Sequence, residues 1–504
     1  MPADHSRALL LGQNVTDQPQ SELAQRLEGA SVSIDIDLGI PGAVLTASIL
    51  VRTLRRLPGR ISIDPDELPT SLVERLRVEA EAIDPDRPIA VGRPRAGDTI
   101  IRIGTTGPPG SLRVIPDLHG FRLSWASNSL QQGKPASALG SAAAAAAAAA
   151  ETFKVAARVI GVRGRRHRRL AWCPVTLSHR PAQGPDLPRD WQLDGLLLGL
   201  GAIGSATALI LSELPVEGSL DLVDPQRFAP ENVGTYSLGG AKEALDQPWK
   251  TSVAASALRR FETRSWNAVA AYLPELIDAG RLRWPPIVLT GLDSPDARRD
   301  SQRLWPDHLI DGATGDTMVG LHAITAVGRP CLACFFPPTA TPTVSPTREL
   351  ERATGLPTEL LVRGAEILLE AHLEGLSVAH QERLRPFVGR EICGLASALG
   401  LTELPDEGYR PSVAFVSLTA ATLVVGRLVA IAAGWRTASN FVQYDTLAGP
   451  RQPTREWRTA RPACDCVQRA GVVAEVRRRR AAYRFVDRPP SIGHDRMTPA
   501  SNEA

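Results

Sequence analysis

Three sets of residues in this 504-residue sequence are of a type and spacing that could do chemistry. The first opens with Gly199-Leu200-Gly201-Ala202-Ile203-Gly204, a G-x-G-x-x-G run, and continues through Asp224, Asn232, Lys250 and Asp293. In such a turn the first glycine permits the sharp reversal and the second lets backbone approach a phosphate. The third lets helix and strand pack closely. An acid about 20 residues further on, closing the next strand, accepts hydrogen bonds from a ribose, and Asp224 stands there. The second set is two close thiol pairs, Cys331 with Cys334 and Cys464 with Cys466. Brought together they would make a tetrahedral four-sulfur site, the geometry of structural zinc; the alternative is two unrelated buried pairs. The third is Cys393, in Gly389-Arg390-Glu391-Ile392-Cys393-Gly394. Beside Arg390 it could be an activated nucleophile, or else a small residue in a helical packing layer.

For the glycine turn to hold a nucleotide it must join a strand to a helix. Residues 195–200 are a short, wholly apolar run, as expected of a parallel strand buried on both faces. Residues 205–214 have helical character, and 220–223, 286–290 and 308–310 read as further strands. Their alternation predicts a doubly wound parallel sheet, an α/β Rossmann-like fold. The region 1–162 is also α/β, with strands at 32–37, 60–63, 99–103 and 112–114 and a helix over 40–57. The nine alanines 142–150 predict a helix packed close against a neighbour, since alanine is the strongest helix former. This first region has no glycine-rich phosphate loop. The basic runs 163–169 and 477–480 lack interleaved aromatic residues and read as solvated segments rather than nucleic-acid patches. Cys173 is assigned to packing, and His322, His372 and His380 read as ordinary histidines, since no ligand spacing pairs them.

Which nucleotide is bound depends on the residues after the acid: Val223-Asp224-Pro225-Gln226-Arg227-Phe228-Ala229-Pro230-Glu231-Asn232-Val233-Gly234-Thr235-Tyr236, then Lys250. Later come Leu289-Thr290-Gly291-Leu292-Asp293-Ser294 and Arg298. Taken singly, Lys250 is a surface lysine and Asp293 a strand-end cap. Their joint order resembles the ThiF-like, ubiquitin-activating superfamily of adenylyltransferases, over about 191–337 and again at 411–434. The resemblance implies that Gly199, Gly201, Ala202, Ile203 and Gly204 cradle ATP and that Asp224 holds its ribose. Asn232 and Lys250 would contact the phosphates, and Asp293 would hold Mg²⁺. It also implies structural zinc on the four paired cysteines, and a thioester on Cys393 in an inserted domain. Attack by a carboxylate on the α-phosphate brings like charges together, so a lysine and a metal ion suit that reaction. Two positions depart from the family pattern. Gln226 stands where a second aspartate is common, and Thr235 where an arginine is usual. An arginine from elsewhere in the chain, such as the first region, would have to compensate.

The expected organisation is therefore an α/β domain at 1–162, read as a degenerate adenylation-like copy, and a basic linker at 163–190. An adenylation domain follows at 191–337 plus 411–450, with a helical insert at 338–410 carrying Cys393 and a tail at 451–504 carrying the second thiol pair. The expected activity is adenylation of the C-terminal glycine carboxylate of a ubiquitin-like or sulfur-carrier protein, then thioester formation and transfer to a conjugating partner. Alternatives are adenylation of a carrier or peptide without a thioester, an NAD-dependent oxidoreductase, and a non-catalytic scaffold. With 57 Lys and Arg against 54 Asp and Glu, a globally cationic nucleic-acid binder is excluded. The sparse cysteines do not suit a disulfide-stapled secreted scaffold. No secretory signal is read at the N-terminus. The apolar stretch 413–433 contains Arg427, costly at mid-bilayer, and is read as a buried helix. The expected setting is cytoplasmic, with no membrane or nucleic-acid partner.

Overall fold

The computed structural model describes residues 5–126, 128–325, 330–338, 346–361, 367–389, 392, 395 and 412–481. Two sheets carry the fold. The first contains β1 (Ser31–Ile36), β2 (Arg60–Ile63), β3 (Ala90–Val91), β4 (Thr99–Ile103), β5 (Leu112–Pro116), β6 (Phe121–Ser124) and β7 (Leu170–Trp172), in the order β3-β2-β1-β4-β5-β6-β7. The second contains β8 (Trp191–Leu198), β9 (Val216–Val223), β10 (Phe261–Trp266), β11 (Ile287–Thr290), β12 (His308–Gly315), β13 (Met318–Thr325), β14 (Phe441–Asp445) and β15 (Thr454–Glu456). Its order is β10-β9-β8-β11-β12-β13-β14-β15.

Strand for strand the two sheets have the same plan. In each, the first five strands run parallel and the next two antiparallel. In each, a helix follows the first strand, Ala43–Arg55 after β1 and Ala202–Glu213 after β8. In each, a long helix precedes the seventh strand, Ala138–Ala157 before β7 and Ala414–Ala432 before β14. The second sheet adds β15 at its edge. Leu196, Leu197 and Leu198 of β8 are almost fully buried, which is why that strand reads as an unbroken apolar run.

The two halves meet along the long helices. Ser137 caps the alanine helix by accepting a hydrogen bond from the Gly140 amide. Its alanines allow a close approach to the helices Ala43–Arg55 and Ala414–Ala432. Phe153 and Phe415 meet across this seam with ring centroids 5.5 Å apart. Ala414–Ala432 is long and apolar enough to cross a membrane by length and composition, but 89% of its apolar window is buried inside the protein. Arg427 donates to the Ser439 carbonyl and to Thr437, which satisfies its charge within the fold.

Three sequence readings change. The basic run 163–169 is not simply solvated: His167 is buried, and β7, inside the segment read as linker, completes the first sheet. Buried Lys154 pairs with Glu151 and donates to the carbonyls of Arg165 and of Leu447 in the other half, so the seam needs this connector. The arginine run 477–480 lies on the helix Ala470–Ala481, where Arg480 grips both oxygens of Asp278 (3.0 and 3.1 Å) and Arg477 binds Asp307 (2.6 Å). Period alone could not show this, since arginine covers apolar surface while its head finds a carboxylate. Cys173 is buried as expected, and burial raises its thiol pKa. The insert has a small separate core around Leu356, Leu368 and Leu384.

Candidate functional site

In an open parallel sheet, ligands bind at the carboxyl ends of the strands, where the order reverses. Here that point lies between β8 and β11, and the glycine turn leaves β8 at this place. Each glycine has its own reason. Gly199 has φ of +80°, which side chains rarely adopt. A Cβ on Gly204 would stand 1.9 Å from the Gly199 carbonyl oxygen, so only glycine lets the helix sit on the turn. A Cβ on Gly201 would meet nothing within 4 Å. Gly201 is the N-cap of Ala202–Glu213 and makes no side-chain cap, so the first-turn N–H groups and the positive end of the helix face open space. The chain's own packing does not require a glycine at 201, whose backbone is left open to an approaching group.

Asp224 directly follows β9 and is buried. It accepts from the Leu200 amide at 2.7 Å and the Gln226 amide at 2.8 Å, tying the glycine turn to the second strand. Burial raises its carboxyl pKa, against the opposing pull of the Lys250 charge and those two amides, while Asp293 adds a nearby like charge. Lys250 opens the helix Lys250–Ala257 and is itself buried, with Nζ donating to Gln226 Oε1 at 2.7 Å. A neutral glutamine at position 226 holds the ammonium without cancelling its charge, which an aspartate would do. Asn232 accepts from the Ala229 amide at 2.9 Å and so shapes the turn Pro230–Asn232. Asp293 lies exposed just past β11, and Thr235 is buried. Lys250, Asp224 and Asp293 thus lie close enough to feel one another's charge beside the glycine turn. Cys393 and Arg390 lie outside the described residues.

Sequence reasoning missed what holds this crevice from behind. Tyr236 donates its hydroxyl to the Lys250 carbonyl at 3.3 Å and packs edge-on against Phe228. The first half reaches the same loop. Fully buried Arg56 donates to the carbonyls of Tyr236 (2.7 Å) and Gly239 (2.6 Å), and Arg52 donates to that of Ser237 (2.9 Å). Burial lowers the Arg56 pKa to about 9. Both arginines serve backbone carbonyls beside Thr235. In the sequence they look like ordinary cations at a helix C-terminus, and only the sheet pairing reveals their partners. His322 is a buried core histidine: its Nδ1 lies 2.9 Å from Asp311 Oδ2, and Arg298 Nη1 is 3.5 Å from the same oxygen. Burial lowers the His322 pKa, against the pull of Asp311.

The four paired cysteines converge although more than 100 residues separate the pairs. Cys331 and Cys464 sulfurs are 3.5 Å apart, Cys334 and Cys466 3.5 Å, and Cys331 and Cys334 3.9 Å. All four lie within 4.8 Å of one another. These gaps are far too long for disulfides. Four sulfurs at about 2.3 Å from a tetrahedral zinc stand about 3.8 Å apart, so the set fits that ion in donor type and in spacing. Burial raises the Cys331 thiol and pushes Cys466 to about 12, so a cation is what would keep them as thiolates.

Solved structures of E. coli MccB align with this chain: MccB itself at 10% identity and TM-score 0.33, and MccB with ATP at 11% and 0.35. MccB with AMPCPP and MccA aligns at 10% and 0.34. Each alignment covers 54% of this chain and 65% of the other, just under two thirds of MccB's length. Likenesses this distant carry no functional weight. No curated protein matches by sequence search. The sequence profile described as ThiF family matches residues 192–466, which take in the glycine turn, both carboxylates, Lys250 and all four clustered cysteines. That match spans more than half of the sequence, and the chain belongs to the ThiF family.

Proposed function

We propose that this protein is an ATP-dependent adenylyltransferase acting on the C-terminal carboxylate of a partner protein, of ubiquitin-like or sulfur-carrier type, in the cytoplasm. One observation carries the reading: an uncapped helix end over an open glycine cradle lies beside a buried lysine whose ammonium is held by the neutral Gln226 and faces Asp224. The partner's carboxylate oxygen attacks the α-phosphorus of ATP, the bond to the bridging oxygen breaks, and pyrophosphate leaves with the electron pair. The product is an acyl-adenylate. Lys250 offsets charge on the phosphates, Asp224 accepts from the ribose hydroxyls, and Asn232 has its amide nitrogen available to a phosphate. Asp293 is the residue to hold Mg²⁺, which would neutralise the leaving group. The clustered cysteines would hold zinc as a pin between the tail and the second half.

We further propose that Cys393 takes the acyl group as a thioester, releasing AMP, for transfer to a conjugating partner. The first half is proposed to be a decayed copy of the adenylation domain. The shared strand plan supports this, as does the turn Asp37-Leu38-Gly39-Ile40-Pro41-Gly42, which keeps two of the three glycines. That turn qualifies the reading of the first region as lacking any such loop.

The test is labelled pyrophosphate entering ATP only when a small protein ending in glycine is supplied. Exchange is expected with the wild type and about 10²-fold less with Lys250→Ala, by analogy with loss of one preorganised charge-stabilising donor. NAD reduction without exchange would overturn the reading. For the second step, Cys393→Ala should still exchange pyrophosphate but form no thiol-sensitive adduct.

A further inference from the structure

We infer that the helix Pro295–Gln302 couples the four-cysteine cluster to the Asp293 end of the nucleotide crevice, with Arg298 as the positioning residue. This rests on the adenylation reading. The helix follows Asp293 directly and is capped by Ser294, whose Oγ accepts from the Ala297 amide at 3.1 Å. Its far end touches the segment that carries the first cysteine pair. Gln302 Oε1 accepts from the Leu332 amide at 2.9 Å, and Arg299 donates to the Phe336 carbonyl at 3.2 Å. Leu332 and Phe336 flank Cys334 in that short segment, so the position of the sulfurs and the position of the helix are set together.

Arg298 links this contact to the crevice. Its guanidinium lies 4.8 Å from the centre of the Phe336 ring. Nε and Nη2 both donate to the Leu292 carbonyl, at 2.9 and 2.6 Å. Nη1 faces Oδ2 of buried Asp311, the oxygen that His322 Nδ1 also holds. The planar fork is thus fixed on three sides, and two of its donors clamp the residue before Asp293. Leu292 also presses its side chain toward Gly199: a Cβ there would stand 2.9 Å from Leu292 Cδ2. Loosening the clamp would free both the Asp293 carboxylate and the wall of the glycine turn. Lysine cannot replace it, because an ammonium neither stacks on the ring nor forks onto one carbonyl.

Coupling is reciprocal: if the cluster steadies Asp293, Mg²⁺-ATP bound at Asp293 steadies the cluster. The experiment measures ATP binding to the full chain as Mg²⁺ is titrated, together with iodoacetamide alkylation at Cys331, Cys334, Cys464 and Cys466, read by peptide mass spectrometry. In the wild type, Mg²⁺-ATP should slow alkylation of the cluster. Arg298→Lys should raise the Mg²⁺ midpoint about tenfold, the worth of one charge-assisted hydrogen bond. Because the clamp also backs the glycine turn through Leu292, Mg²⁺-free ATP binding should weaken too but by less than the Mg²⁺ midpoint moves, and the protection should be lost. Phe336→Leu acts from the cysteine side without touching the crevice, and should shift the midpoint the same way by about two- to threefold. It keeps the test open if Arg298→Lys fails to fold. A wild type that binds no Mg²⁺-ATP overturns the adenylation reading and this inference with it. A wild type that binds it, with midpoints and alkylation unmoved in both variants, overturns the coupling alone.

Discussion

After β8 the chain turns through Gly199–Gly204 and its helix starts at Ala202. After β1 it turns through Asp37–Gly42 and its helix starts only at Ala43. The cross-strand registers place Ile36 opposite Ile103 and Leu198 opposite Thr290, so Gly39 answers to Gly201 and the helix of the first half starts roughly one turn later. The polar groups of this turn are already used. The Gly39 amide donates to Asp37 Oδ1 at 2.9 Å, Pro41 has no N–H to offer, and Gly42 takes a φ of +87°. The first half supplies its own carboxylate where the second leaves room for an anion. The same strand plan therefore serves as support in the first half: the helix after β1 delivers Arg52 and Arg56 to the loop behind Lys250.

The largest expected effect separates the two turns directly. Gly201→Ala fills open space, so ATP affinity should fall at least about tenfold with the melting temperature moved by no more than about 2 °C. Gly39→Ala should leave ATP binding as it was, and calorimetry should count one nucleotide per chain. Two nucleotides, or a Gly39 effect equal to that of Gly201, would break the contrast. Arg56→Met probes the supporting role. It leaves two buried carbonyls unpaired and should cost about 2–4 kcal/mol in denaturant unfolding, with a several-fold weaker ATP affinity. An effect on stability with none on ATP would reduce the first half to a mere packing partner.

The smallest effect concerns the seam. Glu151 lies 3.6 Å from His167 but is paired with Lys154, and burial, then the charges of Lys154 and Arg451, lower the His167 pKa from 6.5 to about 3. Between those values the unfolded chain binds the proton and the folded one does not, so this group favours unfolding as the pH falls from about 6.5 to about 3. His167→Gln should flatten the pH dependence of stability in that window and change little above pH 7.

Much of the second half could be read locally, because Gly199 and Gly204 of its turn answer to constraints within a few residues. The paired cysteines were legible for the same reason, as were the parallel strands with their continuous apolar runs. The short antiparallel strands β6, β7, β14 and β15 were not, since what defines them is the neighbour they pair with. Residues joined across the chain were also hidden. Arg56 finds Tyr236, Arg480 finds Asp278, and His322 finds Asp311 only after the sheets form. Asp37–Gly42 escaped notice because one missing glycine and a proline disguise it.

The alanine run in the helix Ala138–Ala157 has a consequence for variation. Ala144, Ala145, Ala148 and Ala149 have no exposed surface and lie in a helix packed against the helices Ala43–Arg55 and Ala414–Ala432. An extra methyl there would force backbones apart at a cost of about 1–3 kcal/mol. The most monotonous stretch of the sequence, the kind usually dismissed as filler, should tolerate the fewest replacements.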